Sequence, residues 1–160
     1  MSQTPQDQQI MPTILDRLVD PESAGTLGRF GYDVNQMIDA VRRDVEDLLN
    51  TRQTHFDIAN HFQEVRHSIA AYGLPDLVSL NAVTPQQREE IARMIEAVIQ
   101  QFEPRLKEVK ATILSTGDKK DRNLHYRIEG KLHVEPSPEL AFDTVLELST
   151  GHYSVKSADT

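Results

Sequence analysis

An α+β fold is predicted, with N-terminal helices packed on one face of a small antiparallel β-meander. Three features of the 160-residue chain predict it. Apolar residues recur every three or four positions as far as Phe102, the period changes to two after Pro104, and the period-two segments then follow one another with turns between them. Helices first and strands afterwards is the order that places helices on one sheet face. A chain of this length with 38% apolar residues suits one modest domain, which buries roughly 70% of its unfolded surface.

Residues 1–12 are polar and Gln-rich and read as a mobile tail. In "PTILDRLVDPE", Ile14, Leu15, Leu18 and Val19 fall at helical spacing behind Thr13, which is placed to cap, and Asp20-Pro21 stops the helix. Residues 21–33 carry three glycines and read as a linker. So short a helix has little core of its own, so its apolar face must dock either on its own domain or on another protein. Residues 34–49 form the clearest helix: Val34, Met37, Ile38, Val41, Val45, Leu48 and Leu49 make one stripe, with Asp33 or Asn35 as cap and Asn50-Thr51 as stop. Residues 52–83 are less regular, with a short helix in "FQEVRHSIAAYGLPDL" ended by Gly73 and Pro75. "TPQQREEIARMIEAVIQQF" is a second strong helix. Thr84 caps it, Pro85 takes its first position, Gln87 completes a capping box, and Ile91, Ile95, Val98, Ile99 and Phe102 are its buried stripe.

After Pro104, one alternating set runs through Val109, Ala111 and Ile113. A second runs from Leu124 to Val134, a third from Phe142 to Leu148, and Tyr153 and Val155 close the series. Each reads as a strand with one wet and one dry face. "TGDKKDRN" and "STGH" are turns, and "EPSPEL" is a longer connection stiffened by Pro136 and Pro138. The expected organisation is a tail, docking helix and linker over 1–33, the domain over 34–156 and a C-terminal tail over 157–160. The outer strands of such a sheet have unpaired N–H and C=O groups that can receive an incoming strand.

Composition excludes several chemistries. There is no Cys, which removes disulfides, thiolate metal sites and Cys nucleophiles and fits a reducing compartment. The net charge of −8 opposes nucleic acid and anionic membranes, and the basic residues are interleaved with acidic ones apart from Lys119-Lys120. No apolar run is long enough to span a bilayer and the N-terminus has no export signal, so a cytoplasmic protein is expected. His55, His61 and His67 are spaced by six, which spreads them over different helix faces, whereas a metal pair takes three or four. With no phosphate loop, nucleophile elbow or zinc motif in the sequence, no cofactor, metal or catalytic residue is expected.

One motif is more informative. Pro104 stands between Glu103 and Arg105, lacks an N–H and disfavours helix at Glu103. An extended chain there would project Glu103 and Arg105 the same way from a rigid helix–strand junction. Spacing alone leaves two readings open: a mutual surface ion pair, or a two-pronged contact in which Arg105 forks to a partner while Glu103 accepts beside it. On the second reading, replacing Arg105 removes binding with little loss of stability.

The segments "PTILDRLVD", "VRRDVEDLLNTR", "EVRHSIAAYGLPDL", "FEPRL" and "YRIEGKLHVEPSPELAFDTVLEL" occur in this order. Together they resemble the small baseplate subunit of bacterial type VI secretion systems, the TssE family, a branch of the gpW/gp25-like phage baseplate wedge proteins. The resemblance covers about residues 12–156. Its most specific pieces are Leu48-Leu49-Asn50-Thr51-Arg52, Tyr72-Gly73-Leu74-Pro75-Asp76 and Glu103-Pro104-Arg105, and it departs at Ala71, where an Asn before the Tyr is usual.

The resemblance implies a gp25-like fold and a structural role at the cytoplasmic side of the inner membrane. Its members join the wedge proteins TssF and TssG to the first ring of TssB/TssC sheath and template sheath polymerisation, with TssK a further partner. It implies that Glu103, Pro104 and Arg105 bind the helical core bundle of the wedge. It also favours a partner for the helix of Ile14, Leu15, Leu18 and Val19. A wedge protein of a phage or phage-tail-like particle is the nearest alternative. A peptidoglycan hydrolase and a stand-alone regulatory binder are the others.

Overall fold

The computed structural model describes residues 12–19, 33–53, 58–59, 61–75, 84–115, 123–134 and 137–158. His55, Lys119, Lys120, Pro136 and most of the glycine-bearing linker lie outside these residues. The elements are α1 (Ile14–Val19), α2 (Val34–Asn50), α3 (Gln63–Arg66), a 3-10 turn (Ile69–Ala71), α4 (Pro85–Phe102), β1 (Leu106–Leu114), β2 (Leu124–Leu132), β3 (Glu139–Glu147) and β4 (His152–Ser157). The four strands form one antiparallel meander in the order β1-β2-β3-β4. This is the α+β architecture that the change of period predicts.

Both long helices start where their side chains satisfy the first free N–H groups. Asp33 and Gln36 exchange a capping box at α2, and Thr84 and Gln87 another at α4, behind Pro85. α2 buries Met37, Ala40, Val41, Val45, Leu48 and Leu49, and α4 buries Ile91, Ala92, Ile95 and Ile99. These stripes lie on the dry sheet face, where Tyr126, Ile128, Phe142 and Leu146 are almost fully buried. Tyr126 and Thr144 are cross-strand partners and both lie in this interior. Burial pushes the Tyr126 hydroxyl up to about 12.

One local expectation is corrected, and β1 carries an irregularity ahead of the alternation of Val109, Ala111 and Ile113, which holds. The helix expected before Gly73 is broken: four-residue α3 stops, and Ser68 accepts from the Ala70 N–H at 3.2 Å and donates to the Val65 carbonyl at 2.7 Å. A serine that bonds nearby backbone in this way competes with the helix ladder. In β1, Leu106 and Val109 are both buried although three residues apart, which strict alternation forbids. A bulge absorbs the difference. Glu108 and Val109 stand against Gly130 alone, with Glu108 at φ 54°. A Cβ on Gly130 would lie 3.3 Å from the Lys107 carbonyl oxygen, so the bulge favours glycine opposite it.

The sheet edges are not bare. On β4, Asn50 Oδ1 accepts from the Tyr153 N–H and Asn50 Nδ2 donates to the Tyr153 carbonyl, both at 2.9 Å. Glu46 accepts from the Val155 N–H at 3.3 Å, and Arg42 donates to the Val155 carbonyl at 3.1 Å. On β1, Glu96 accepts from the Ala111 N–H at 2.7 Å and Gln100 donates to the Val109 carbonyl at 3.1 Å. Open edges were the expectation, but each long helix lies beside an outer strand and reaches its backbone.

Candidate functional site

The junction between α4 and β1 is a turn. The Glu103 N–H still donates to the Ile99 carbonyl at 2.8 Å, and the Leu106 N–H donates to the Glu103 carbonyl at 3.1 Å. Glu103-Pro104-Arg105-Leu106 is therefore a β-turn with proline at its second position, where the ring's fixed φ fits. The extended conformation expected through Pro104 is not formed: Glu103 lies at φ −117° and ψ 80°, outside the extended region. The chain must reverse at once because β1 runs back along α4, whose Glu96 and Gln100 reach it.

The turn sends the two charged side chains into each other. Glu103 is 4% exposed. Arg105 Nε donates to Glu103 Oε1 at 2.6 Å, and its Nη2 donates to Glu103 Oε2 and, at 2.5 Å, to Asp44 Oδ2. The Arg105 N–H also donates to Glu103 Oε1 at 3.2 Å. Burial works against the charge of Arg105, but the bonds and charges of Glu103 and then Asp44 outweigh it and push its pKa up. Glu103 is thus an inward carboxylate that orients the guanidinium rather than a second outward prong. Pro104 is exposed. Nη1 has Met37 Sδ at 4.0 Å as a weak neighbour.

The charges continue into a network. Arg43 bonds Asp44 at 3.0 Å and also pairs with Asp16 of α1. Asp16 is 4% exposed and accepts from the Thr13 hydroxyl at 2.6 Å. Burial alone would raise its pKa, but the bonds from Thr13 and Arg43 outweigh that and hold the carboxyl below its ordinary range. α1 therefore docks on α2 by its polar side. Ile14, Leu15 and Leu18 are left 77%, 59% and 77% exposed, and Val19 closes the helix.

The other specific motifs meet at the same corner. The Leu74 N–H donates to the Thr51 carbonyl at 2.9 Å and the Gln53 N–H to the Leu74 carbonyl at 2.8 Å, so Arg52 and Leu74 pair as a parallel bridge. Gly73 permits this at φ 97°, where a Cβ would stand 2.3 Å from the Thr51 carbonyl oxygen. The bridge sets Tyr72 edge-on to Phe102, ring centroids 5.3 Å apart. A groove of about 480 Å³ opens there, lined by Thr13, Leu15, Asp44, Asp47, Leu48, Tyr72, Phe102, Glu103, Pro104 and Arg105. Burial and then the charges of Asp44, Asp47 and Glu103 raise the pKa of the Tyr72 hydroxyl.

The structure thus joins both sequence-derived candidates, the proline motif and the short helix, at one groove. Sequence reasoning missed Asp16, Arg43 and Asp44, which tie the two together. Arg43 and Asp44 read only as the wet face of α2, and no spacing rule links them to residues 16, 103 and 105. Among the described residues no group of three or more His, Cys, Asp or Glu is placed to hold a metal ion. No helix among them is long and apolar enough to cross a membrane.

A fixed turn, a guanidinium held by carboxylates and an adjoining half-apolar groove make a candidate docking corner on an α+β module. The model of the family described as baseplate wedge protein gp25 matches residues 35–137, and the chain belongs to that family. The match takes in α2, α4, the proline turn, β1 and β2. A chain from a solved structure, "The baseplate complex from the type VI secretion system", is similar at 18% identity over 71% of this chain and 96% of that chain, with a TM-score of 0.49. No sequence among curated proteins matches.

Proposed function

We propose that the chain is a structural, non-catalytic baseplate component of a type VI secretion system that links a TssF/TssG wedge to the first TssB/TssC sheath ring. Membership of the baseplate wedge family supports a baseplate role. The observation that carries the docking reading is the shared groove, in which Arg105, oriented by Glu103 and Asp44, stands beside the exposed Leu15 of α1. In this reading Pro104 and the outer edge of Arg105 meet the helical core bundle of the wedge, and Ile14, Leu15, Leu18 and Val19 cover a neighbouring apolar face. Glu103 acts through Arg105. Little entropy is lost on binding because the turn is already fixed. A sheath strand would add to β1 beyond Ala111, since α2 occupies the β4 edge.

The test is co-purification with TssF and TssG. A Leu15→Asp, Leu18→Asp double variant should lose wedge association while melting like the parent, because both side chains are exposed. Undiminished association would remove α1 from the interface. A wedge protein of a phage-like particle is the second reading, favoured equally by the family match. Neighbouring genes for TssF, TssG and sheath decide between them.

A further inference from the structure

α2 and β4 run antiparallel and in step. Arg42, Glu46 and Asn50 are four residues apart, so each advance along the helix is about 6 Å. Tyr153 and Val155 are two strand residues apart, about 6.7 Å. One helix face can therefore serve every second residue of the strand. Asn50 does so with both amide atoms at Tyr153, while Glu46 and Arg42 divide the donor and acceptor of Val155. Arg42 and Glu46 also bond each other at 3.2 Å, which fixes the pair. Tyr153 and Val155 face Leu146 and Thr144 of β3, and their own N–H and C=O groups point outward. Four backbone groups that an added strand would use are thus occupied. On β1 the same device, Glu96 and Gln100 of α4, takes one donor and one acceptor, and among the described residues it stops at Ala111.

We propose that Arg42, Glu46 and Asn50 are a surrogate fifth strand that shuts the β4 edge against pairing with the β4 edge of a second copy. An exposed edge strand is a template for such pairing, and burying it under a helix is one way to prevent it. The side-chain chemistry goes further than cover: an amide matches a peptide group donor for acceptor, and a carboxylate–guanidinium pair does the same across two residues. Asn50 also belongs to the "LLNTR" segment, so the residue that ends α2 is the one that closes the edge. The guard needs no partner protein and is tested on the chain alone.

Amide hydrogen exchange by NMR reads the guard directly. In the wild-type protein the Tyr153 and Val155 amides should exchange at least tenfold more slowly than that of Ile113, although all three sit on outer edges. Asn50→Ala should speed Tyr153 at least tenfold and leave the β2 amides unchanged. In the Glu46→Ala, Asn50→Ala double variant, sedimentation should show self-association, and raising the concentration should protect the Tyr153 and Val155 amides again. Equal wild-type rates for Tyr153 and Ile113 would overturn the proposal, and that measurement needs no variant to fold. So would a folded double variant that stays monomeric at every concentration, which would reduce the ladder to local satisfaction of backbone groups.

Discussion

Replacing Arg105 by Ala removes the cation that both oxygens of the buried Glu103 carboxylate bond. The Glu103 side chain is 5% exposed, and both of its oxygens accept from the guanidinium. After the substitution it keeps the Arg105 N–H at 3.2 Å and little else. Breaking a buried pair by removing one partner costs about 3–5 kcal/mol, and an exposed pair is worth about 1 or less. Glu103 belongs to the first class, and Asp44, 23% exposed, stands nearer the second. Arg105→Ala should therefore cost about 3 kcal/mol, the lower end of the buried range. For a chain of this size that lowers Tm by roughly 6–12 °C.

Calorimetry or circular-dichroism melting measures the fall, and a cycle with Glu103→Ala locates it. With Glu103 gone, Arg105 keeps Asp44 at 2.5 Å and partial hydration, so Glu103→Ala costs less, and the double variant should lose about 1–2 kcal/mol less than the two singles combined. A fall below about 2 °C for Arg105→Ala, with additive singles, would refute the buried pair and restore the two outward prongs. This reverses the expectation that Arg105 can be lost at little cost to the fold. A wedge-binding assay on the variant therefore belongs well below its own melting temperature.

Two further outcomes follow from the same corner. Gly73→Ala places a Cβ against the Thr51 carbonyl at a φ of 97° and should cost at least about 2 kcal/mol in urea unfolding, with the bridge between the "LLNTR" and "YGLP" segments parted. Asp16 gives α1 an acid dependence. Its folded pKa lies below the ordinary 3.8, so its contribution is complete above that value and is lost as pH falls through the folded pKa. Acidification through that window should erase the helical NMR shifts of α1 while α2 persists, and an α1 that stays docked throughout would discount the Asp16–Arg43 pair.

Periodicity determined the elements. The stripes of α2 and α4, their capping boxes and the alternation of Leu124 to Leu132 and Phe142 to Leu146 are local facts, because each depends on residues within one or two turns. The meander was legible too, since short turns leave antiparallel neighbours as the simplest pairing. The Glu103-Pro104-Arg105 motif could be marked as unusual, but its chemistry could not be read. Whether Arg105 faces Glu103, solvent or a partner depends on Asp44, far away in the chain and brought beside the turn only when α2 and α4 share a sheet face. The bulge at Glu108 and the break at Ser68 were likewise hidden, because each is a local departure that long-range packing selects. Least visible was the role of Arg42, Glu46, Asn50, Glu96 and Gln100. In sequence they are ordinary polar residues of amphipathic helices, and only the antiparallel lie of helix beside strand turns their four-residue spacing into a match for the two-residue spacing of a sheet edge.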